Sequence, residues 1–379
     1  FKQKTAYEIR PRDWSSDVCS SDLAEEQAKY REYKEARRGA ADYMPMEGQF
    51  AKYLEDHYSA APIERDALTD ECDIVVVGAG FAGLLLWYKL SQAGFDDVRF
   101  CERGGDVGGT WYWNRYPGIA CDVESYSYFP LLEEMEYFPT MKFASGFEIF
   151  EYCQKMAEKF GFYDHCLFHT EVTGVHWNDD THRWTVTTAR GDTMRARVVM
   201  LANGVLTTPR LARIEGMERF AGESFHTSRW DYDVELAGKR VGIIGTGATA
   251  VQCIPHLGEW SEHLYVFQRT PSSVDVRGNV PTDPAWVASL QPGWQYERMK
   301  NFNDCVEGAD VEADLVQDGW TKIFRNLTGK VAKQASQKLG RRLTPAERGQ
   351  LMELADYMQM NSVRDRKSTR LNSSHVALS

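Results

Sequence analysis

The sequence predicts an α/β protein with two Rossmann-like domains and a helical insertion. An apolar strand, Asp73 to Val77, runs into a glycine-rich turn and an apolar helix, and this order of elements recurs from Arg240 onward. The residues from Asp283 to Arg366 instead have helical periodicity. We therefore expect two units of strand, helix and strand, followed by a helical segment.

Six segments of different character follow one another along the chain. They are an atypical N-terminal stretch (1–23), a helical extension (24–70), a first nucleotide-binding domain (71–208), a second one (209–282), a helical insert (283–366) and an atypical C-terminal stretch (367–379). Both domains are expected to be incomplete. The second unit has only two strands, which form too narrow a sheet to be stable alone.

Neither end of the chain fits a helix or a strand. Phe1 to Leu23 and Lys367 to Ser379 have no apolar period, and both resemble translated sequencing-adaptor read-through. A mitochondrial-type presequence is the alternative for the N-terminus, but its acidic residues balance its basic ones. We expect both stretches to be artefacts and the natural protein to continue past Arg366.

The composition limits the possible functions. The net charge of -11 repels nucleic acid and anionic lipid headgroups, and no apolar run reaches the roughly 20 residues of a membrane helix. The eight cysteines have no CxxC or zinc-like spacing. These features predict a soluble, cytoplasmic protein without a metal site, a nucleic-acid partner or a membrane partner, and they leave the oligomeric state open.

The predicted elements alternate as a Rossmann-like fold requires. In the first domain we expect a helix ending at Ala93, a strand over Val98 to Glu102, a helix over Phe147 to Phe160, and a β-meander of Glu171 to Trp177, Trp184 to Thr188 and Arg195 to Ala202. In the second we expect a strand over Arg240 to Ile244, a helix to about Leu257, and a strand over His263 to Gln268. Outside the domains, helices are predicted over Ala24 to Ala40, over Glu47 to Tyr58, and after the capping box Thr344 to Glu347.

The first glycine-rich turn has the spacing of a dinucleotide-binding site. Gly78 permits the tight turn, Gly80 lets a pyrophosphate approach the helix N-terminus, and Gly83 allows the helix to pack closely on the strand. Glu102 ends the second strand, where a carboxylate accepts hydrogen bonds from a ribose diol. This site is expected to take an unphosphorylated ribose, as in FAD or NAD.

The second turn repeats this spacing with a different residue at the ribose position. Arg269 stands as far from Gly245 as Glu102 stands from Gly78. A guanidinium followed by the Thr270 hydroxyl suits a 2′-phosphate, although a solvated charge at a strand end is the alternative. We expect NADP to bind through Arg269, Thr270 and the turn itself, namely Gly245, Thr246, Gly247, Ala248, Thr249, Ala250 and Gln252.

Two unlike nucleotide sites on one chain indicate electron transfer between two cofactors. A flavoprotein that is reduced by NADPH has this arrangement. A disulfide reductase shares it, but that class of enzyme needs a pair of redox cysteines on the first helix, and the sequence has none there.

Two further segments are candidates for the chemistry. The aromatic loop, Gly108 to Gly118 (GGTWYWNRYPG), could cover a flat ring system or be a packed surface loop. Asp122 follows it, where a carboxylate can be a tuned charge, an arginine partner or a turn residue. His226 lies in the linker segment, Phe220 to Asp231, as a packed histidine or as a catalyst.

These motifs together resemble one enzyme family. The linker segment FAGESFHTSRWD, flanked by the two glycine turns, is similar to the fingerprint of type I Baeyer-Villiger monooxygenases, and GGTWYWNRYPGIACD is similar to their second signature. The resemblance covers about Asp73 to Pro271. It implies FAD in the first domain, NADP in the second, and an enzyme that inserts an oxygen atom from O2 next to a ketone carbonyl to give an ester or a lactone.

The resemblance also implies roles for individual residues. Asp122 would lie near the flavin and pair with a catalytic arginine, and His226 would support domain rotation and NADPH oxidation. The residues that would line the flavin are Gly109, Thr110, Trp111, Tyr112, Trp113, Tyr128 and Val172.

Two alternatives stay open. Flavin-containing monooxygenases that oxidise nitrogen and sulfur share the glycine turns, but they typically lack Thr227, Asp231 and the TWYWNRYPG loop. The catalytic arginine and the remaining strands of both domains normally follow the helical insert, where this sequence turns adaptor-like. The other alternative is therefore that the chain as it stands is an inactive nucleotide-binding fragment.

The NADP assignment predicts the effect of Arg269→Ala in a version of the protein that continues past Arg366. Loss of a charge-assisted contact costs on the order of 1.5 to 3 kcal/mol, so the NADPH dissociation constant should rise about tenfold or more. Titrations with NADPH and NADH measure the change. An unchanged NADPH/NADH preference would contradict the assignment.

Overall fold

The computed structural model describes residues 32, 43–59, 64–268, 274, 276–309, 311–324 and 332–351. The chain divides into a larger unit, residues 43–270 and 279–295, and a smaller unit that contains the rest. The predictions for Phe1 to Leu23 and for Lys367 to Ser379 lie outside the described residues, as does the helix Ala24 to Ala40 apart from Glu32.

The described part of the larger unit contains eight strands and seven complete α-helices. Strands β1 to β8 are Thr69–Val77, Val98–Cys101, Cys166–Leu167, Val172–Asn178, Arg183–Thr188, Thr193–Leu201, Arg240–Ile244 and His263–Phe267. Helices α1 to α7 are Phe81–Gln92, Thr110–Trp113, Ser125–Tyr128, Leu132–Met135, Gly146–Lys159, Ala248–Trp260 and Pro284–Ser289. Short 3-10 helices cover Gly48–Leu54, Phe162–His165, Met217–Arg219 and Thr227–Arg229.

Strands β1 to β6 form one sheet in the order β3-β2-β1-β6-β5-β4. The predicted β-meander is confirmed, because β4, β5 and β6 pair antiparallel. Its last strand also pairs in parallel with β1, with Val77 opposite Leu201, which the sequence did not indicate. The polar residues from Thr69 to Glu71 extend β1 beyond its predicted start because they pair with β6.

The core of the larger unit lies against the central strand β1. Val75 and Val76 are fully buried, one in each of two apolar clusters, as expected for a strand covered on both faces. Leu84 and Trp87 of helix α1 belong to the same cluster as Val76. Burial of this apolar surface fixes helix α1 against the strand that leads into the first glycine turn.

The long helix α5 closely matches its prediction. Ser145 caps it by accepting a hydrogen bond from the Glu148 backbone N–H at 3.2 Å. Ile149, Tyr152 and Met156 lie on its buried face, at the spacing of one side of a helix. The predicted helix over Glu47 to Tyr58 is instead the shorter 3-10 helix Gly48–Leu54, and the residues after it have bends rather than helical turns.

Strands β7 and β8 form a separate parallel pair, with Arg240 opposite His263 and Ile244 opposite Phe267. The predicted second unit of strand, helix and strand is therefore present. Helix α6 lies between its strands in sequence and buries Ala250, Cys253 and Leu257 in the main apolar cluster.

The described part of the smaller unit contains helices joined by irregular segments and no strand. Helix α8, Trp294–Glu307, leads into it, and α9, Gly319–Phe324, and α10, Ala332–Leu339, follow. The predicted capping box is confirmed, because the Glu347 Oε2 accepts from the Thr344 N–H at 2.8 Å and the Thr344 Oγ1 accepts from the Glu347 N–H at 3.3 Å. Among the residues with a described structure, no helix has the length and apolar character needed to cross a membrane.

Gly83 on helix α1 predicts a measurable change in stability. A Cβ added there would lie 2.3 Å from the Gly78 carbonyl oxygen, so Gly83→Ala should destabilise the fold by about 1 to 3 kcal/mol. Gly258→Ala on helix α6 is the matched control, because no described atom lies within 4 Å of its added Cβ; it should stabilise by up to about 1 kcal/mol. Urea unfolding measures both, and equal effects would contradict the packing role of Gly83.

Candidate nucleotide-binding site

A cavity of about 410 Å³ lies at the carboxyl ends of strands β1, β2 and β6. Val77, Cys101 and Ala202 line it from the strand ends, and Phe81 and Ala82 line it from the first turn of helix α1. The strand order switches at β1, which has β2 on one side and β6 on the other. Ligands of open α/β sheets bind at such switch points.

The backbone of the first glycine turn is shaped for a close approach to a ligand. Gly78 has a φ of +107°, and a Cβ there would lie 2.7 Å from the Ala202 carbonyl oxygen. A Cβ on Gly109 would lie 2.9 Å from the Gly80 Cα, so the aromatic loop and the turn contact each other through bare backbone. Backbone N–H groups in the first turn of a helix have no partner within the helix and attract anions. This arrangement fits the pyrophosphate of a dinucleotide.

Glu102 lies in the cavity wall at the position predicted for a ribose partner. Its Oε2 accepts from the Ala79 N–H at 2.9 Å and its Oε1 accepts from the Gly104 N–H at 2.7 Å. Burial raises the pKa of this carboxyl, while the two backbone hydrogen bonds act in the opposite direction. Each carboxylate oxygen keeps a further lone pair with which it can accept from a ribose hydroxyl.

Most of the predicted flavin-lining residues surround this cavity. Trp111 and Tyr128 are joined by a hydrogen bond from the indole Nε1 to the Tyr128 hydroxyl oxygen at 3.1 Å. Tyr112 is absent from the cavity wall, because its hydroxyl donates to the Asp56 Oδ2 at 2.6 Å. The predicted residues that line the cavity are Gly78, Gly80, Glu102, Gly109, Thr110, Trp111, Trp113, Tyr128 and Val172.

Neither residue predicted for catalysis lines the cavity. Asp122 is exposed, directly after the buried Cys121. His226 precedes the 3-10 helix Thr227–Arg229, and its Nδ1 accepts from the Ser228 N–H at 3.1 Å. Burial, together with the nearby positive charge of Arg229, lowers the pKa of His226 to about 4. His226 is therefore a neutral imidazole at physiological pH.

The second glycine turn has nearly the same backbone geometry as the first. The φ of Gly245 is +106°, against +107° for Gly78. Gly247 caps helix α6 with φ -74° and ψ -174°, and Gly80 caps helix α1 with φ -77° and ψ -167°. No described atom lies within 4 Å of a Cβ added to Gly245 or Gly247, so this turn has room for a ligand. Arg269 and Thr270, predicted to bind the 2′-phosphate, lie outside the described residues.

Gln252 connects the second turn to the aromatic loop. Its Oε1 accepts from the Tyr116 hydroxyl at 2.9 Å, and its Nε2 donates to the Ala120 carbonyl oxygen at 3.0 Å. A Cβ on Gly118 would lie 2.4 Å from the Gln252 carbonyl oxygen, so the loop and helix α6 are in backbone contact. Gln252 therefore links the two units of strand, helix and strand through its hydrogen bonds.

Sequence reasoning missed two arginines near the cavity. The guanidinium groups of Arg103 and Arg229 lie 4.7 and 4.2 Å from the Trp113 ring centroid, and both donate to the Thr207 carbonyl oxygen. Arg229 is only 3% exposed, and burial lowers its pKa to about 10. A signal was present for both, since Arg103 follows Glu102 and Arg229 lies within the linker segment.

Comparisons with known proteins identify the family of the chain. Residues 71–280 match the model of the flavin-binding monooxygenase-like family. The chain belongs to this family. It is similar to neopentalenolactone D synthase from Streptomyces avermitilis, with 50% identity over 359 residues that cover 91% of this chain and 59% of that protein. It is also similar to a Baeyer-Villiger monooxygenase from Streptomyces coelicolor, with 43% identity over 365 residues that cover 93% of this chain and 60% of that protein.

Solved structures of the same kind are similar in fold. Polycyclic ketone monooxygenase from Thermothelomyces thermophila has a TM-score of 0.75 and 35% identity, covering 92% of this chain and 61% of that one. A steroid monooxygenase bound to NADP has a TM-score of 0.59 and 40% identity, covering 63% of this chain and 46% of that one. The resemblance to Baeyer-Villiger monooxygenases and the predicted α/β fold are thereby confirmed. The chain spans about 60% of the length of the curated relatives.

The lowered pKa of His226 predicts a pH dependence of stability. The folded pKa is below the unfolded value, so the unfolded chain gains a proton first as the pH falls below about 6.5. Between pH 7 and pH 5 the protein should therefore lose about 1 to 2 kcal/mol of stability through this residue. Urea unfolding of the wild type and of His226→Gln at both pH values isolates the contribution. Equal losses in the two proteins would show that His226 titrates normally in the fold.

Proposed function

We propose that this chain is the nucleotide-binding part of an FAD-dependent, NADPH-consuming monooxygenase that inserts oxygen next to a ketone carbonyl to give an ester or a lactone. The observation that carries the proposal is the pair of glycine turns with matching backbone geometry, the first of which opens into the cavity beneath the aromatic loop. The family membership and the names of the relatives support it.

The residues of the first cavity would hold FAD. The backbone of Gly78 and Gly80 and the N-terminus of helix α1 would take the pyrophosphate, and Glu102 would accept from the ribose. Bound flavin supplies the chemistry of accepting a hydride from NADPH and activating O2.

The aromatic loop would keep water away from the reacting atoms. Trp111 and Trp113 are 8% and 1% exposed, and both line the cavity. The guanidinium groups of Arg103 and Arg229 also contact the Trp113 ring, at 4.7 and 4.2 Å from its centroid. An apolar wall of this kind excludes water. It thereby prevents hydrolysis of reactive intermediates and strengthens electrostatic interactions inside the site.

The second turn would bind NADP, with Arg269 and Thr270 on the 2′-phosphate. The phosphates would lie against the turn itself, which consists of Gly245, Thr246, Gly247, Ala248, Thr249 and Ala250. Gln252 would act indirectly, through its hydrogen bonds to Tyr116 and Ala120. His226 would support NADPH oxidation as a neutral hydrogen-bonding group, since its pKa is about 4. Asp122 would pair with an arginine contributed by chain beyond Arg366.

The substrate is proposed to be a polycyclic ketone. The polycyclic ketone monooxygenase structure covers 92% of this chain, whereas cyclohexanone monooxygenase covers 63%. The polycyclic ketone monooxygenase is the better guide to the substrate because it matches most of this chain, whereas the steroid and cyclohexanone monooxygenases each match 63% of it. The seven cysteines that the structure describes are all free, which supports a reducing, cytoplasmic location.

The test compares the 379-residue chain with a gene product that continues past Arg366. The longer protein should keep flavin absorbance after desalting and should convert a cyclic ketone to a lactone with NADPH and O2. The short chain should retain little flavin, because the cavity wall it supplies comes only from the first unit, the meander and the aromatic loop. Oxidation of amines or sulfides alone would favour the second candidate, a flavin-containing nitrogen and sulfur monooxygenase; lactone from the short chain would refute the fragment alternative.

Asp122→Ala in the longer protein separates a role in oxygen transfer from a structural one. Lactone formation should fall more than NADPH oxidation, because the carboxylate would position an arginine at the site of oxygen transfer. Hydride donation by NADPH does not use that arginine. The two rates are measured in one assay by NADPH absorbance and product chromatography. Equal losses would leave Asp122 with a structural role only.

A further inference from the structure

Residues 52–58, here called the N-terminal clamp, contact both segments that resemblance connects with the chemistry. Asp56 and Tyr58 lie against the aromatic loop, and Lys52, Tyr53 and Tyr58 lie against the linker segment. All of these residues belong to the larger unit. The clamp therefore joins two parts of the chain that are far apart in sequence.

On the aromatic side, Asp56 fixes Tyr112 from outside the cavity. Its Oδ2 accepts from the Tyr112 hydroxyl at 2.6 Å and from the Gly105 N–H at 2.8 Å. The Asp56 side chain is 12% exposed, and hydrogen bonds to a carboxylate are stronger when shielded from water. Tyr112 stands between Trp111 and Trp113 in the chain, so this contact sets where the cavity wall lies.

On the linker side, the clamp holds the backbone before and after His226. The Lys52 ammonium and the Tyr53 hydroxyl each donate to the Ser224 carbonyl oxygen at 3.2 Å. The Tyr58 hydroxyl accepts from the Trp230 N–H at 2.9 Å. These contacts lie two residues before His226 and four residues after it.

The two sides meet inside the clamp. The Asp56 Oδ1 accepts from the Tyr58 N–H at 3.0 Å, so the residue that holds Tyr112 also orients the residue that holds Trp230. The Tyr58 and Tyr112 rings pack edge to face, with their centroids 6.2 Å apart. The Arg115 guanidinium lies over both rings, at 4.3 and 4.8 Å. A shift of either segment therefore disturbs the contacts of the other.

We propose that Asp56 and Tyr58 are positioning residues that keep the flavin-side aromatic loop and the His226 segment in one fixed relation. The consequence for the reaction rests on the proposed function, since the loop would cover FAD and His226 would support NADPH oxidation. None of these contacts involves either glycine turn, so nucleotide can still bind in the variants, and we expect the main effect on the rate of the reaction.

The test uses hydrogen–deuterium exchange in the gene product that continues past Arg366. Tyr58→Phe removes the acceptor for the Trp230 N–H, and its direct effect lies in peptides from residues 220–231. The proposal requires a second effect, at least a twofold faster exchange in peptides from residues 104–118. Asp56→Asn should produce the same pair of effects from the opposite side. Tyr137→Phe is the control for the substitution itself, because it likewise removes a hydrogen-bonded tyrosine hydroxyl, here bonded to Glu148 at 2.9 Å, outside both segments, and it should leave both groups of peptides unchanged.

Steady-state kinetics of the same variants give a second readout. The kcat for NADPH oxidation should fall at least threefold, while the KM for NADPH stays within twofold and the FAD content is unchanged. Exchange that rises only in the directly altered segment, or an unchanged kcat, would overturn the proposal. Exchange is measured without ketone or NADPH, so a failure to form lactone would count against the proposed function and not against the clamp.

Discussion

The parallel pairing of β1 with β6 is the constraint on which the rest of the site depends. It sets Val77 opposite Leu201 and thereby brings Ala202 beneath the turn at Gly78, where a Cβ would be 2.7 Å from the Ala202 carbonyl oxygen. With β2 on the other side of β1, the ends of three strands meet at one edge. The cavity exists because helix α1 and the aromatic loop close over that edge.

Electrostatics around the cavity differ from those of the whole molecule. The chain carries a net charge of -11, yet two buried or half-buried guanidinium groups flank Trp113 and the first turn of helix α1 presents backbone N–H groups. Arg103 also contributes to the lowered pKa of Arg229, because like charges repel. Because Glu102 and Glu171 also lie in the cavity wall, the two arginines make these surroundings close to neutral within an acidic protein, and an anionic ligand is repelled less here than over the molecule as a whole.

The sequence predicted local elements well and their partners poorly. Strand β7 has its predicted bounds, Arg240–Ile244, and helix α5 differs from its prediction by one residue at each end, because hydrophobic periodicity and caps are properties of neighbouring residues. The pairing of β6 with β1 joins residues more than a hundred positions apart, and no periodicity encodes it. Tyr112 was assigned to the flavin wall by motif, but it is buried away from the cavity, where its hydroxyl donates to Asp56. The partner residue lies in a segment without a motif.

The two glycine turns share their dihedral angles but differ in what surrounds them, because one follows a strand of a six-stranded sheet and the other a strand of a two-stranded sheet. Around the first turn, backbone atoms of Ala202 and Gly109 lie so close to the glycines that their added Cβ atoms would clash or be in contact. Around Gly245 and Gly247 no described atom lies within 4 Å of the added Cβ, and the nearby Ile244 and Phe267 are 64% and 57% exposed. Strands β7 and β8 pair only with each other in the part of the chain that the structure describes, and the sequence predicts further strands of this domain after the helical insert. The exposure of Ile244 and Phe267 is therefore that of a two-stranded sheet, whereas the first turn already has the neighbouring strands and the aromatic loop that enclose its cavity.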